Sequence, residues 1–129
     1  MRIRVLIADD HPLMRKGLAD ILGVADDIEV VGAAEDGAAA LALAYAVHPN
    51  IVLMDISMPG MDGIEATQKM SDIDPDIRVV MLTSYSEREK ITEALAAGAV
   101  SYLTKDSTPE AVIRAIRSAA TSLPGHGAA

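Results

Sequence analysis

The sequence predicts an α/β fold, a doubly wound parallel sheet of five strands with helices on both faces. Five short apolar runs alternate along the 129 residues with five segments of helical periodicity, a pattern typical of parallel sheets whose helices form the crossovers. Polar or charged residues follow four of the five runs. Because the carboxyl ends of parallel strands lie at one edge of a sheet, we expect these residues to share a crevice.

Each predicted strand is a short apolar run bounded by turn-forming residues. The five runs occupy residues 3–8, 29–34, 51–54, 78–83 and 99–104. The third run, Ile-Val-Leu-Met, is followed at once by Asp55 and by a turn rich in Pro and Gly. Asp55 is therefore expected at the carboxyl end of a buried strand.

The predicted helices follow the strands at residues 12–23, 37–47, 63–73, 86–98 and from 107 onward. Pro12 suits a first helical turn, where its missing N–H leaves no hydrogen bond unmade. Ser86 with Glu89 three residues later predicts a capping box at the start of the fourth helix. In the last helix the spacing predicts that Val112, Ile116 and Ala119 face the core. Arg114 and Arg117 are predicted to face the solvent.

Length and composition limit the classes of protein to consider. The chain is large enough for one domain with a single core, and it has no cysteine for disulfides or thiolate metal sites. Nineteen acidic against eleven basic residues give a net charge of −8, which argues against direct binding to nucleic-acid phosphates. No apolar run is long enough to cross a bilayer and no signal peptide is evident, so we expect a cytoplasmic protein without membrane contact.

The domain is expected to occupy residues 1–121. Residues 122–129 are rich in Gly, Pro and Ala without periodicity, which is typical of the start of a flexible linker. We therefore expect the chain to be one module of a longer protein, with its output domain not included.

Three carboxylates are expected to converge at one point of the sheet edge. Right-handed crossovers and a reversal of strand order place the first and third strands side by side, which brings Asp9 and Asp10 opposite Asp55. Carboxylates at close range repel one another unless one is protonated or a cation is bound. Ligation by oxygen alone favours Mg2+. His11 is interpreted as a surface residue of the first helical turn rather than as a ligand.

A carboxylate beside a bound divalent cation is a possible nucleophile for phosphoryl transfer, and Asp55 holds that position. Lys105, after the fifth strand, supplies a cation for one phosphoryl oxygen, and the Thr83 hydroxyl supplies a hydrogen bond for another. Taken singly, Asp9 and Asp10 are equally well explained as helix-start acids, Thr83 as a strand former and Lys105 as a solvated cation. Their joint occurrence at one sheet edge favours the functional interpretation.

These residues, in this order, resemble two-component response-regulator receiver domains over nearly the whole chain. The motifs that carry the resemblance are Asp9-Asp10, the run Asp-Ile-Ser-Met-Pro-Gly-Met-Asp-Gly that begins at Asp55, Thr83-Ser84, and Lys105. The resemblance implies a flavodoxin-like (βα)5 fold with strand order 2-1-3-4-5. It also implies that Asp55 accepts a phosphoryl group from a sensor histidine kinase.

The resemblance implies a set of metal ligands and phosphate ligands. Mg2+ is expected on Asp10 and Asp55 directly, on the main-chain carbonyl of Ser57, and on Asp9 largely through water. The acyl phosphate is expected to be held by Thr83 and Lys105.

The resemblance also assigns residues to switching and to the lifetime of the phosphoryl group. Thr83 and Tyr102 are expected to form the conformational switch. Ser57 and Tyr85 flank the path of the attacking water, and Tyr85 is expected to slow dephosphorylation. No catalysis is expected beyond the domain's own phosphorylation and dephosphorylation.

Three further features resemble receivers of NarL/LuxR-type transcription regulators. They are the opening Ala-Asp-Asp-His-Pro-Leu that begins at Ala8, the pair Lys105-Asp106, and the helix start Pro109-Glu110. In that subgroup a helix-turn-helix domain follows the receiver, so DNA binding is expected only through such a domain. Homodimerisation on phosphorylation is the expected output step, through a surface that the sequence leaves open. Many receivers have Pro where Asp106 stands, so the isomer of the Lys105–Asp106 peptide is also open.

Three rival functions are weighed against this one. A haloacid-dehalogenase-type phosphohydrolase also uses an Asp nucleophile with Mg2+, but it needs a second Asp where this chain has Ser57. A stand-alone CheY-like receiver would signal by binding a partner protein. A pseudo-receiver that is never phosphorylated is disfavoured by the intact set of acids, Thr83 and Lys105.

Overall fold

A computed structural model of the chain describes residues 2–121 and contains one five-stranded sheet. The strands are β1 Ile3–Ala8, β2 Ile28–Ala34, β3 Ile51–Asp55, β4 Arg78–Thr83 and β5 Ser101–Thr104. The helices are α1 Pro12–Gly23, α2 Gly37–Val47, α3 Gly63–Ile73, α4 Ile91–Ala96 and α5 Pro109–Thr121, with a 3-10 helix at Tyr85–Lys90. All neighbouring strands are parallel, in the order β2-β1-β3-β4-β5. The predicted fold class and strand order are confirmed.

The predicted boundaries differ from the observed ones mainly in the second half of the chain. β3 includes Asp55, one residue more than predicted, because Asp55 still pairs with Leu82 of β4. β5 begins at Ser101, two residues after the predicted start. The predicted linker, residues 122–129, lies outside the described residues. Within residues 2–121, no helix has the length and apolar character needed to span a bilayer.

The segment after β4 corrects the predicted capping box. The helical segment is capped by Ser84, and Glu87 Oε1 accepts hydrogen bonds at 3.0 Å from both the backbone N–H and the hydroxyl of Ser84. The Ser86–Glu89 prediction is therefore wrong by two residues. The same serine–glutamate spacing occurs twice here, and the end of β4 at Thr83 decides in favour of the first pair.

Two apolar layers hold the helices against the sheet. Alternate residues of each strand face opposite sides: Val5 and Ile7 of β1 pack with α1 and α5, whereas Leu6 and Ala8 pack with α2, α3 and α4. In α5 the predicted inward residues Val112, Ile116 and Ala119 are buried and the two arginines are exposed. The helices cover both faces of the sheet, so the carboxyl ends of β1, β3, β4 and β5 lie at an edge that the helices leave uncovered.

Candidate functional site

Four charged side chains meet at the carboxyl ends of β1, β3 and β5. Lys105 Nζ lies 2.9 Å from Asp55 Oδ2 and 3.5 Å from Asp9 Oδ2. One ligand atom each from Asp9, Asp10, His11 and Asp55 can be chosen so that all lie within 4.8 Å of one another. The predicted convergence of Asp9, Asp10, Asp55 and Lys105 is therefore present in the structure.

Main-chain hydrogen bonds fix these strand ends relative to one another. Asp9 N–H donates to the Ala34 carbonyl at 3.0 Å, and Lys105 N–H donates to the Thr83 carbonyl at 3.0 Å. Ile56 N–H, directly after Asp55, donates to the Leu82 carbonyl at 2.9 Å. The site residues are thus held by the sheet ladder rather than by loop conformation alone.

Asp55 is fully buried, and its charge is balanced by Lys105. The pKa of Asp55 is raised to about 6, mainly by burial and also by the charge of Asp9, although the hydrogen bonds from Lys105 Nζ and from the Ser57 N–H lower it in part. The Ser57 N–H lies 3.2 Å from Asp55 Oδ1. A carboxylate in this setting gains stability from any additional cation in the pocket.

Lys105 is positioned as the cation of the site. Burial lowers the pKa of Lys105, but the hydrogen bond to Asp55 and the charges of Asp55 and Asp9 outweigh it, so the pKa lies above its ordinary value. The ammonium is therefore charged near neutral pH. One positive charge facing three carboxylates leaves the pocket with a negative excess.

Two carboxylate oxygens of the pocket are inaccessible to solvent and accept no hydrogen bond. They are Asp9 Oδ2, which lies 3.5 Å from the Lys105 ammonium, and Asp10 Oδ1, which lies 3.1 Å from His11 Nδ1. Buried anionic oxygens without donors are costly unless a cation satisfies them. Oxygen donors of this kind suit a hard divalent ion such as Mg2+. The residues present fit such an ion, with Asp9, Asp10 and Asp55 as the candidate ligands; the carbonyl of Ser57 stays a prediction.

His11 corrects part of the sequence interpretation. It is an exposed N-cap residue of α1, as predicted, but its ring turns into the acidic pocket. His11 Nδ1 lies 3.0 Å from Asp9 Oδ1, 3.1 Å from Asp10 Oδ1 and 4.0 Å from Asp55 Oδ2. Its position directly after the acidic pair was the only signal in the sequence, and the interpretation as a plain surface residue missed this contact.

Most of the chain matches a known family of protein domains. The family model described as "Response regulator receiver domain" matches residues 5–117. The chain belongs to this family of receiver domains. A haloacid-dehalogenase-type phosphohydrolase is not supported by the match.

Curated relatives of this receiver domain include a protein named as a transcriptional regulator and one named as a response regulator. The Transcriptional regulatory protein LiaR of Bacillus subtilis is 43% identical over 95% of this chain and 58% of its own length. The Response regulator GacA of Pseudomonas protegens is 45% identical over 89% of this chain and 54% of its own length. The chain thus spans just over half the length of these relatives.

Solved structures give the same result for the fold. The signal receiver domain of the putative response regulator NarL from Mycobacterium tuberculosis is 37% identical, with a TM-score of 0.89. The alignment covers 94% of this chain and 98% of that one. The resemblance to NarL/LuxR-type receivers is confirmed.

The predicted switch residue Thr83 hydrogen-bonds to the main chain of the receiver domain, and the predicted switch residue Tyr102 is partly exposed. The buried Thr83 hydroxyl donates to the Ser84 carbonyl at 3.0 Å. Tyr102 is 48% exposed on β5, and Tyr85 is 83% exposed with the Arg88 guanidinium 5.5 Å from its ring centroid. The roles of Thr83, Tyr102 and Tyr85 stay predictions.

The isomer of the Lys105–Asp106 peptide, which the sequence left open, is trans, because no peptide bond among residues 2–121 is cis.

Glu87 is a residue at the rim that the sequence interpretation missed. Although burial raises the pKa of Glu87, hydrogen bonds from Ser57 and Ser84 lower it overall. Its carboxylate binds the residue that follows Thr83, through hydrogen bonds of 3.0 Å from the Ser84 N–H and hydroxyl. No sequence signal beyond its spacing from Ser84 points to this contact.

Gly63 allows the loop after Asp55 to turn back onto β3. A Cβ at this position would overlap the main-chain oxygen of Asp55. The Gly63 N–H donates to the Ile56 carbonyl at 3.1 Å, and α3 begins there with Asp62 as its cap. A side chain at residue 63 would therefore displace the backbone that carries Asp55.

Proposed function

We propose that this receiver domain accepts a phosphoryl group on Asp55 from the phosphohistidine of a sensor histidine kinase. The observation that carries the proposal is the contact of 2.9 Å between Lys105 Nζ and Asp55 Oδ2, next to oxygens of Asp9 and Asp10 that accept no hydrogen bond. A buried nucleophile, a fixed cation and a set of hard oxygen ligands are what in-line phosphoryl transfer requires.

The transfer is a displacement at phosphorus. A carboxylate oxygen of Asp55 forms the new O–P bond while the N–P bond of the donor phosphohistidine breaks, and the donor imidazole leaves with the bonding electron pair. Lys105 Nζ is positioned to neutralise charge on one phosphoryl oxygen. The acidic residues Asp9 and Asp10 would hold the metal, together with Asp55 and the carbonyl of Ser57. When bound, Mg2+ supplies positive charge for the remaining phosphoryl oxygens.

The switch is proposed to begin at Thr83. Phosphorylation adds about −1.5 to −2 charge and three acceptor oxygens, which offer the Thr83 hydroxyl a stronger partner than the Ser84 carbonyl. Movement of Thr83 leaves space into which the exposed Tyr102 turns. The surface around α4, β5 and α5 then changes, because both residues lie on the strands beneath it.

Dephosphorylation is proposed to be tuned by Ser57 and Tyr85. These two residues flank the path of water toward the acyl phosphate, and the exposed ring of Tyr85 narrows that path. The domain thus catalyses its own phosphorylation and dephosphorylation without turning over a metabolic substrate.

The output is proposed to be transcription regulation through a LuxR-type DNA-binding domain, in the cytoplasm. The relatives named as transcriptional regulators support this, and their length beyond the matched region leaves room for such a domain. A stand-alone CheY-like receiver is the alternative. The full-length sequence of the natural protein distinguishes the two.

Phosphorylation is proposed to promote a homodimer. Arg114 of α5 is free to meet an acidic partner surface, whereas Arg117 already binds Asp27 through two contacts of 2.9 Å. The alternative dimer surface is formed by α1 and α5 together.

Gel filtration tests whether phosphorylation drives dimerisation. With beryllofluoride and Mg2+ we expect a larger species than with protein alone. An unchanged elution volume contradicts phosphorylation-driven dimers.

The direct test of the proposed function is phosphorylation by acetyl phosphate followed by intact-mass measurement. We expect wild-type protein to gain the mass of one phosphoryl group in the presence of Mg2+ and to gain nothing when EDTA is present from the start. Asp55→Asn removes the nucleophile at similar side-chain volume, so it is expected to gain nothing. Equal mass gain in both proteins contradicts the assignment of Asp55.

A further inference from the structure

His11 changes the chemistry of the acidic pocket, because it adds an imidazole nitrogen to a set of carboxylate oxygens. Nδ1 lies 3.0, 3.1 and 4.0 Å from one oxygen each of Asp9, Asp10 and Asp55. Ligands of a tetrahedral ion at about 2.0–2.1 Å are separated from one another by about 3.3 Å. His11 Nδ1 is therefore already at about this separation from one oxygen each of Asp9 and Asp10, and one ligand atom from each of the four residues lies within 4.8 Å of the others.

A second observation points to a bound cation. Asp9 is fully buried, and its Oδ2, which is not the oxygen beside His11, accepts no hydrogen bond. The Lys105 ammonium lies 3.5 Å from this oxygen but contributes a single charge against three carboxylates. A divalent ion would satisfy this oxygen and neutralise the excess.

The class of ion follows from the donor types. Mg2+ prefers oxygen ligands in octahedral geometry and keeps several waters, and it gains little from an imidazole. Zn2+ and similar divalent transition metals bind imidazole and carboxylate together, commonly with four ligands. An imidazole beside three carboxylates therefore favours the second class over the first.

We propose that this pocket also binds Zn2+, through His11 Nδ1 with Asp9, Asp10 and Asp55, and that bound Zn2+ prevents phosphorylation of Asp55. The proposal rests on the metal site of the proposed function and adds His11 to it. Four protein ligands would close the coordination shell and engage a carboxylate oxygen of Asp55, leaving no open position for a phosphoryl oxygen. Zn2+ and Mg2+ thus compete for one pocket with opposite effects.

Calorimetric titration with Zn2+ and with Mg2+ tests the role of His11. His11→Asn keeps a favourable N-cap residue and is expected to weaken Zn2+ binding by about tenfold or more, and Mg2+ binding by a much smaller factor. His48→Asn is the matched control: His48 lies at the end of α2 with a φ of 49°, a conformation that Asn tolerates well. All proteins carry His126→Asn, so that His11 and His48 are the remaining histidines.

Co2+ provides a spectroscopic readout that does not depend on phosphorylation. Bound Co2+ is expected to give the intense visible absorption of tetrahedral coordination in the wild-type and His48→Asn proteins and to lose it in His11→Asn. Equal Zn2+ affinity in the His11→Asn and His48→Asn proteins overturns the proposal, as does the weak absorption of octahedral Co2+ in the wild type.

The zinc proposal and the proposed function can be contradicted by different results. Phosphorylation of wild type by acetyl phosphate with Mg2+ alone tests the proposed function. Stepwise addition of Zn2+ is then expected to suppress the mass gain in wild type, and to need about tenfold more Zn2+ in His11→Asn. Normal phosphorylation with Mg2+ that Zn2+ does not suppress overturns the zinc proposal and leaves the proposed function standing.

Discussion

The Lys105 ammonium lies 2.9 Å from Asp55 Oδ2, although fifty residues separate the two in sequence. The ends of β3 and β5 bring them together across β4, whose Thr83 carbonyl accepts the Lys105 N–H. The contact keeps the nucleophile ionised in a buried place and holds a cation where phosphoryl oxygens would arrive. Most of the expected behaviour of the site follows from this pair.

Lys105→Met is expected to slow phosphorylation by acetyl phosphate by about 100-fold, the usual effect of removing a charge-stabilising donor. The same change is expected to tighten Mg2+ binding, since it removes the competing cation from the pocket. Initial rates by intact mass and affinities by calorimetry measure the two effects. Lys16→Met, which removes an exposed ammonium paired with Asp20 at 3.0 Å, is the control. Equal rates in both variants would count against a role for Lys105.

The pKa of Asp55, raised by burial to about 6, makes the stability of the metal-free protein depend on pH. Above about pH 6 the carboxylate is charged in both folded and unfolded states, so the full penalty of burying it is present. As the pH falls from about 6 towards 4, the folded state takes up a proton first and the penalty is relieved.

Asp55→Asn should therefore stabilise the metal-free protein at about pH 8, by about 1–3 kcal/mol, and by much less at about pH 5. Urea unfolding in EDTA at both pH values measures the difference between variant and wild type. Mg2+ should reduce the gain at high pH, because the wild-type carboxylate then has a partner. If the increase in the free energy of unfolding is the same at both pH values, the raised pKa of Asp55 is contradicted.

Gly63→Ala is expected to lower the free energy of unfolding by about 1–3 kcal/mol or more, because the new Cβ meets the main-chain oxygen of Asp55. The rate of phosphorylation should also fall in Gly63→Ala, since the displaced backbone carries the nucleophile Asp55. Gly17→Ala is the control, a helical position with no atom within 4 Å of the added Cβ. It should stabilise by about 0.5–1 kcal/mol. Similar stability of the two variants would show that the loop accepts a side chain at residue 63.

Tyr85→Ala is expected to shorten the phosphoryl half-life by about threefold, a barrier change of about 0.6 kcal/mol, because it widens the path of the attacking water. Loss of the added mass after removal of acetyl phosphate gives the rate. Tyr45→Ala changes another highly exposed tyrosine, on α2, and should leave the half-life as it is. An unchanged half-life in Tyr85→Ala removes Tyr85 from the tuning role.

The sequence predicted the sheet and its acidic edge because both depend on local patterns. Apolar runs followed by a charged residue mark strand ends, and parallel pairing then brings those ends together. The contacts of His11 and Glu87 were not predictable in this way. Each depends on where a capping side chain points after the neighbouring strand has ended, which tertiary packing decides rather than spacing. The shift of the capping box from Ser86 to Ser84 has the same origin.

The central claim is that Asp10 and Asp55 share one metal ion beneath the Lys105 ammonium. A crystal structure of the protein with Mg2+ and beryllofluoride measures this directly. We expect Mg2+ at about 2.0–2.1 Å from a carboxylate oxygen of each residue and from the Ser57 carbonyl oxygen, with beryllofluoride on Asp55 and Lys105 Nζ on a fluorine. Mg2+ bound elsewhere, or beryllofluoride away from Asp55, would contradict the account.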